Sequence, residues 1–305
     1  MCAFFTKSQS TTQRISQGIM STCHCFSGVP ADVDFKPSGT FSTIAGLKVY
    51  KSIPRDPGSN FHGSVLLFPD GFGLARHNQR LADMYAKYGY ETTIVDYFEG
   101  DALPDIFMKY LPGTDLDSYE TLTTEEKDII RKIHMPSWLE RHNPTHISSL
   151  LGQFLPDFLK TVPGRYSKED SSHGLNAKAL YIIGHCFGGK HALNLAQNES
   201  DVTSVIVFHP SFIEPSDTKN LKRPVFMGLA ETDVFTPELS NLMLTQLPSS
   251  GTRYKLLVYG GTKHGFASRS DLGNEMEKAM FAEAFNDGLR WMESTALDIS
   301  DVASR

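Results

Sequence analysis

Residues 179–189, Ala-Leu-Tyr-Ile-Ile-Gly-His-Cys-Phe-Gly-Gly, decide the fold of this chain. The first five are apolar and predict a short buried strand. The Gly-x-Cys-x-Gly pattern that follows predicts a tight strand-to-helix turn with Cys186 at its tip, because glycines let the two backbones approach closely. A helix that begins behind the sulfur favours the reactive thiolate. We therefore expect Cys186 to be a nucleophile; a buried structural cysteine is the alternative.

Two residues after Cys186 give the chain the sequence order nucleophile, acid, base. Asp233 follows the apolar segment 224–230, and His264 follows the strand-like segment 254–259. A nucleophile on such a turn requires an acid and then a histidine further along the chain. Glu231 is the alternative acid, since alternate residues at a strand end share one side. We expect Cys186, Asp233 and His264 to form a catalytic triad.

Strand and helix patterns alternate along the rest of the chain. Strands are predicted at 46–50, as an opening edge strand, and at 64–69, 91–96 and 204–208, with helices at 77–88, 145–160, 187–197 and 274–292. Strand, helix and strand with short connections imply parallel pairing. The pattern predicts the α/β-hydrolase fold, a doubly wound, mainly parallel sheet with helices on both faces.

Residues from about 100 to 145 interrupt this alternation. We expect a lid-like insertion after an early central strand, with Phe107, Met108, Tyr110 and Trp138 lining its inner face. A solvated surface helix is the alternative reading of its charged stretch.

Length and composition predict one domain. The chain has 305 residues and is 40% hydrophobic, enough for a large core. We expect an N-terminal tail over 1–40, a single domain over 41–296 and a C-terminal tail over 297–305. A net charge of −6 without a Lys/Arg cluster argues against nucleic-acid binding. The sequence has no run of eighteen consecutive apolar residues, so we expect no membrane-spanning helix.

Cysteine usage favours a reducing compartment. Of the four cysteines, Cys2, Cys23 and Cys25 lie near the N-terminus, which does not resemble a secreted disulfide framework. We expect a cytoplasmic protein, although the basic, acid-free first nineteen residues are also compatible with a mitochondrial presequence. Cys23-His24-Cys25 is a weak zinc signal without a second cluster, so no metal is expected.

The motifs together resemble the dienelactone hydrolase family, particularly its fungal members, from about Gly46 to Trp291. The resemblance rests on the turn around Cys186, on Glu-Thr-Asp at 231–233, on Lys-His-Gly-Phe at 263–266 and on Phe-Pro-Asp-Gly-Phe-Gly at 68–73. It implies that Cys186 is the nucleophile, that His264 is the general base and that Asp233 orients it.

The resemblance also implies supporting roles. The N–H groups of Phe187 and Gly71 would form the oxyanion hole. Asp70 occupies the place of a carboxylate, usually glutamate, that holds the resting thiol. Phe72 and Trp138 are candidate substrate-binding residues.

The chain departs from the family pattern in substrate recognition. Bacterial members carry an arginine shortly after the strand that ends in Val-Asp-Tyr-Phe, whereas this sequence has Glu99-Gly100-Asp101 there. Arg269, after His264, is a second candidate for binding a substrate carboxylate, and a surface position is the alternative. We therefore do not expect the small carboxylated dienelactone as substrate.

These observations predict a hydrolase that cleaves a lactone or ester through a thioester acyl-enzyme. Isomerisation, cyclisation or carbon–carbon cleavage of a polyketide-like metabolite in the same pocket is one alternative, and a non-catalytic binding protein is another. No cofactor is expected, because no glycine-rich nucleotide loop follows the first strand. The expected partner is a small-molecule substrate, and a homodimer is compatible with the sequence.

Overall fold

The computed structural model describes residues 28, 34–55, 61–109, 119–163, 179–198, 201–233 and 244–303. Within these residues one sheet contains β1 (Thr40–Ile44), β2 (Leu47–Ser52), β3 (Gly63–Phe68), β4 (Tyr90–Val95), β5 (Leu180–His185), β6 (Ser204–Phe208), β7 (Val225–Ala230) and β8 (Tyr254–Tyr259). The helices are α1 (Arg76–Lys87), α2 (Ile106–Lys109), α3 (Thr124–Lys132), α4 (Met135–Arg141), α5 (Pro144–Thr161), α6 (Phe187–Asn198) and α7 (Glu275–Ala303).

The sheet is mainly parallel, as predicted. Its strand order is β1-β2-β4-β3-β5-β6-β7-β8. The strands from β4 to β8 pair in parallel, and β1 and β2 form an antiparallel hairpin at one side. Because β3 and β5 are neighbours, the loops after their carboxyl ends meet at one edge of the sheet.

The prediction that residues 46–50 form an edge strand was wrong. The segment 46–50 belongs to β2, which is not the edge strand, because β1 pairs outside it from Thr40 with Lys51 to Ile44 with Leu47. The connection is a two-residue turn in which Ala45 and Gly46 both have positive φ, of 48° and 83°, a geometry that suits the twist of a hairpin. Four of the five β1 residues are exposed, so the strand has no clear apolar pattern.

Each face of the sheet has its own core. Along β3, Leu66 and Phe68 pack on the face that carries α5 and α6, whereas Val65 and Leu67 pack on the face that carries α1 and α7. This alternation follows from the two-residue period of a strand. Helices on both faces confirm the doubly wound architecture.

The last helix continues past its predicted end. α7 runs through Ala303 rather than ending near residue 292, and Thr295 and Ala296 are still buried against the sheet. None of the helices described is both long and apolar enough to cross a bilayer.

The segment between β4 and α5 contains α2, α3 and α4. α3 begins with a capping box of Thr123 and Glu126, which explains its sharp start. Of the residues predicted to line the inner face, Phe107, Met108 and Trp138 are buried in the same core as α5 and α6. Tyr110 lies outside the described residues.

Candidate active site

Cys186 occupies a strained turn between β5 and α6. Its φ is +50°, in the left-handed region that costs energy for a residue with a Cβ. A Cβ at Gly188 would lie 2.3 Å from the carbonyl oxygen of Phe68, and one at Gly184 would lie 2.5 Å from that of Gly188. The helix therefore packs this closely on the strands only because both positions are glycine, and the thiol is held at the carboxyl edge of the sheet.

His264 lies beside Asp233 on the loops after β8 and β7. The Nδ1 atom of His264 is 2.5 Å from Oδ1 of Asp233, and the His264 backbone N–H donates to Oγ1 of Thr232 over 3.1 Å. The alternative acid, Glu231, instead accepts the N–H of Gly261 over 2.7 Å. Of the two candidate acids, Asp233 is thus the one in contact with the imidazole.

Ser211 is a member of this cluster that sequence reasoning missed. Its Oγ lies 3.3 Å from Sγ of Cys186 and 3.4 Å from Nε2 of His264, and its N–H donates to the Cys186 carbonyl over 2.9 Å. It follows β6, the parallel neighbour of β5. Its position three residues past a strand end next to the nucleophile was the available signal, but serine is too common in loops for that signal to be selective.

The thiol and the imidazole shift each other's pKa in opposite directions. Burial opposes protonation of His264, but Asp233 and Cys186 outweigh it and raise the pKa of His264 to about 9. Burial also opposes ionisation of Cys186, yet the His264 charge, a hydrogen bond from His264 and the Arg269 charge lower the pKa of the thiol. At neutral pH these shifts favour a thiolate–imidazolium pair.

Asp70 is buried in a network of its own. Its carboxylate accepts hydrogen bonds from Arg269 (2.6 Å) and Asn78 (2.9 Å) and lies 2.9 Å from Nε2 of His77. Burial disfavours its charge, but the charges of His77 and Arg269 and these contacts hold the pKa of Asp70 well below its usual value. Its charge acts on Cys186 in the direction that raises the thiol pKa.

Arg269 is not a surface residue, so that alternative was wrong. Its side chain is fully buried in the ion pair with Asp70, and it also hydrogen-bonds Cys186. Gly265 has a φ of +94°, and a Cβ there would lie 2.9 Å from the guanidinium. The turn after His264 is therefore shaped to let Arg269 fold back against the site.

Two histidines near the charged groups are neutral. Burial lowers the pKa of His185 to about 3, and burial together with the His264 charge holds that of His209 well below its usual value. The His209 ring lies 4.9 Å from the His264 ring. Keeping His209 uncharged avoids a second cation beside the imidazolium.

The two expected oxyanion donors follow neighbouring strands. Gly71 comes after β3 and Phe187 is the first residue of α6, and Phe68 pairs with Gly184 in the register between them. Among the described residues neither backbone N–H has a protein acceptor.

The candidate substrate-binding aromatics are buried near the thiol. The Phe72 ring lies 5.4 Å from the Arg269 guanidinium carbon. Trp138 stacks on Phe98 with ring centroids 5.3 Å apart and contacts Phe187 at 5.8 Å. Trp138 therefore joins the insertion to the residue that follows the nucleophile.

The residues that replace the bacterial arginine hold the insertion in place. Asp101 binds Arg141 at 2.8 Å and His142 at 2.9 Å, and Glu99 binds His146 at 3.0 Å. These carboxylates tie the end of β4 to α4 and α5. In the part of the chain that the structure describes, no three His, Cys, Asp or Glu side chains group as metal ligands. Cys23-His24-Cys25 lies outside that part.

Comparisons with known proteins bear on the family and the fold of this chain. The model of the dienelactone hydrolase family matches residues 47–296. Hydrolase pyvD of Aspergillus violaceofuscus is 27% identical over 83% of this chain and 89% of its own, and dienlactone hydrolase 1 of Gibberella moniliformis is 26% identical over 85% and 88%. A solved monoglyceride lipase variant from Saccharomyces cerevisiae superposes with a TM-score of 0.53 at 15% identity, covering 88% of this chain and 98% of its own. This likeness supports the α/β-hydrolase fold.

Proposed function

The chain belongs to the dienelactone hydrolase family, and we propose that this hydrolase cleaves a lactone or ester through Cys186, His264 and Asp233 by way of a thioester acyl-enzyme. The observation that carries the proposal is the cluster in which Asp233 lies 2.5 Å from Nδ1 of His264, and Ser211 contacts both Nε2 of His264 and the sulfur of Cys186. The charges of His264 and Cys186 also shift each other's pKa toward the charged forms. A lowered thiol pKa increases the fraction of thiolate, which is the attacking form.

In the first half of the reaction, the Cys186 thiolate attacks the carbonyl carbon. A carbon–sulfur bond forms, and the carbonyl oxygen becomes an oxyanion that the N–H groups of Phe187 and Gly71 stabilise. The carbon–oxygen bond to the leaving group then breaks, and His264 donates its Nε2 proton to that oxygen. The alcohol departs and the acyl group stays on sulfur.

In the second half, neutral His264 acts as the base. It removes a proton from water, whose oxygen attacks the thioester carbon. The carbon–sulfur bond breaks, the acid leaves and the thiolate–imidazolium pair forms again. The sum is ester plus water to acid plus alcohol. Asp233 keeps the imidazole in the tautomer that presents Nε2 to the reacting atoms.

Arg269 and Asp70 set the charge around the sulfur. The Arg269 cation lowers the thiol pKa and the Asp70 anion raises it, so their ion pair partly cancels both effects. We infer that Asp70 acts on the thiol by holding Arg269 in place and offsetting part of its charge, because the carboxylate oxygens of Asp70 are occupied by Arg269, His77 and Asn78.

Replacement of Cys186 tests the proposal. Cys186→Ala is expected to abolish hydrolysis of phenyl acetate while circular dichroism and the melting temperature stay near those of the parent protein. With the parent protein, rapid quenching and mass spectrometry of the Cys186 peptide should find one acetyl group. Turnover at the parent rate in Cys186→Ala would remove Cys186 from the mechanism. Product mass separates the alternatives, since hydrolysis adds one water and isomerisation adds none.

A further inference from the structure

A cavity of about 230 Å³ opens beside the nucleophile on the side of Phe187 and Ser211. Phe187 directly follows Cys186, and Ser211 Oγ is 3.3 Å from the sulfur. The cavity lies between the end of α4, the first turns of α6 and the loop after β6. It is therefore close enough to the sulfur to hold a group bonded to the reacting carbon.

The lining of this cavity is apolar and uncharged over most of its surface. Leu139, Pro144, Phe187 and Phe212 supply apolar walls. His191 also lines it, and burial together with the Lys190 charge lowers the pKa of His191 to about 3, so its ring is neutral. Its Nδ1 atom is buried, and none of the residues that the structure describes hydrogen-bonds to it.

The charged groups at the cavity are already paired. Lys190 is the only Lys or Arg among its described lining residues, and its Nζ donates to Asp217 at 2.8 Å and to the Phe212 carbonyl at 3.1 Å. Nζ also lies 3.4 Å from Glu214, whose carboxylate is largely exposed at the cavity. His142, which also lines the cavity, lies 2.9 Å from Asp101. Among the described lining residues a substrate carboxylate would therefore meet Lys190 and His142 already paired, and it would lie near the negative charge of Glu214.

Phe212 is held in a costly conformation at this cavity. Its φ is +57°, although it is a bulky residue, and its side chain is 42% exposed. Its ring packs edge-on against Phe187 with centroids 5.9 Å apart. Strained residues persist where the surrounding structure holds them, and they concentrate at functional sites.

The chemistry of the reaction assigns this cavity to the acyl group. Attack forms a carbon–sulfur bond, so the acyl group stays bonded to Cys186 until water releases it. Phe187 and Ser211 line this cavity, and both lie next to Cys186, the first along the chain and the second in space. The described lining of a second cavity, of about 300 Å³, includes neither Cys186 nor these two residues. The first cavity is therefore the one placed to hold the acyl group.

We propose that the cavity bounded by Phe187, Phe212 and Leu139 is an acyl subsite for an uncharged apolar group, an aromatic ring or a medium-length alkyl chain. This inference rests on the proposed function. An apolar cavity of about 150 Å³ holds a benzene molecule, so a cavity of about 230 Å³ accommodates a ring with a short substituent. The substrate class is therefore a neutral ester or lactone with an apolar acyl part.

A series of p-nitrophenyl esters tests the subsite with one constant leaving group. We expect kcat/KM for the hexanoate and the benzoate to exceed that for the acetate by about tenfold or more, the range for methylene recognition in apolar pockets. The hemiadipate has a carboxylate in place of the terminal methyl of the six-carbon hexanoate chain, and its kcat/KM should fall below that of the hexanoate by a similar factor. Equal values across the series, or a preference for the hemiadipate, would overturn the subsite while leaving hydrolysis intact.

A matched pair of variants localises the effect. Phe212→Ala should lower the hexanoate-to-acetate ratio of kcat/KM by about fivefold or more through loss of apolar contact. Phe41→Ala removes another exposed phenylalanine, on β1 far along the sheet from Cys186, and should leave that ratio unchanged. An unchanged ratio in Phe212→Ala would refute the role of Phe212.

Labelling of Cys186 tests the subsite without turnover. Neutral acetophenone should slow alkylation of Cys186 by iodoacetamide, measured on the Cys186 peptide, and the benzoate anion should not. If no ester is hydrolysed in a Cys186-dependent manner, the proposed function fails, and this protection experiment still decides on the subsite. Absence of protection by acetophenone would overturn it.

Discussion

Removal of the Asp233 charge should shift the pH range in which the nucleophile is active. In the parent protein the pKa of His264 is raised to about 9 by Asp233 and Cys186. Asp233→Asn keeps the size of the side chain but removes the leading cause of that increase. Burial of His264 lowers its pKa and Cys186 still raises it, so without the Asp233 charge the pKa should fall from about 9 toward the ordinary value of 6.5.

The size of the effect follows from these values. At pH 7.5 a histidine with a pKa of about 9 is roughly 97% protonated, and one with a pKa of 6.5 is roughly 9% protonated. The imidazolium is also the leading influence that lowers the pKa of Cys186, so the thiolate fraction falls with it. We expect a loss of up to about tenfold in kcat/KM for phenyl acetate at pH 7.5 from protonation alone.

Two measurements check this expectation. In the parent protein kcat/KM should decline as pH rises through about 9, and in Asp233→Asn that decline should move to lower pH. The rate of Cys186 alkylation by iodoacetamide should show a higher apparent thiol pKa in the variant. A parent-like profile in Asp233→Asn would refute the assignment of Asp233.

Glu231→Gln is the matched control, because Glu231 is the alternative acid and contacts the Gly261 N–H rather than the imidazole. It should keep the pH profile of the parent protein.

The raised pKa of His264 also makes the stability of the protein depend on pH. The protonated form is favoured by folding, so this contribution is fully present below pH 6.5 and is lost as pH rises through about 9. Asp233→Asn should lose this pH dependence in urea unfolding.

Two further variants test the cluster and the turn. Ser211→Ala removes a hydroxyl that contacts both the thiol and the imidazole. Hydrogen bonds to charged groups are worth about 1.5–3 kcal/mol, so we expect kcat/KM to fall by roughly tenfold or more. Iodoacetamide labelling should also show a higher thiol pKa, and unchanged labelling would contradict this expectation. Gly188→Ala places a Cβ 2.3 Å from the Phe68 carbonyl oxygen and should lower the free energy of unfolding by about 1–3 kcal/mol or more in urea titrations. Its control, Gly152→Ala, meets no atom within 4 Å in the interior of a helix and should be neutral or stabilising.

Much of the fold was predictable because it depends on local patterns. The apolar run before Cys186 and the helix of 145–160 correspond to β5 and to α5, Pro144–Thr161, within a few residues. Buried parallel strands are continuously apolar, and the apolar residues of amphipathic helices repeat every 3.6 residues. Each element can therefore be predicted from its own segment of sequence. β1 was missed for the same reason, because four of its five residues face solvent and its place depends on pairing with β2.

The candidate active site was only partly predictable from the sequence. The residue types and the order of Cys186, Asp233 and His264 pointed to one edge of the sheet, because nucleophile, acid and base each follow a strand. The sequence alone could not decide between Glu231 and Asp233 as the acid, since both lie on the same short loop. It depends on how that loop turns against the loop of His264, where Thr232 accepts the His264 N–H.

The sequence by itself determined the local chemistry of this protein: a glycine-framed cysteine, later strand ends that carry an acid and a histidine, and the acidic Glu99-Gly100-Asp101 after β4. Only the tertiary structure decided that Arg269 pairs with Asp70, 199 residues away, and that Ser211 lies between thiol and imidazole. Such contacts depend on strand order and loop path, which bring distant segments within hydrogen-bonding distance, and no local pattern encodes that distance. The charge on the sulfur is therefore a property of the folded sheet edge rather than of the motif around Cys186.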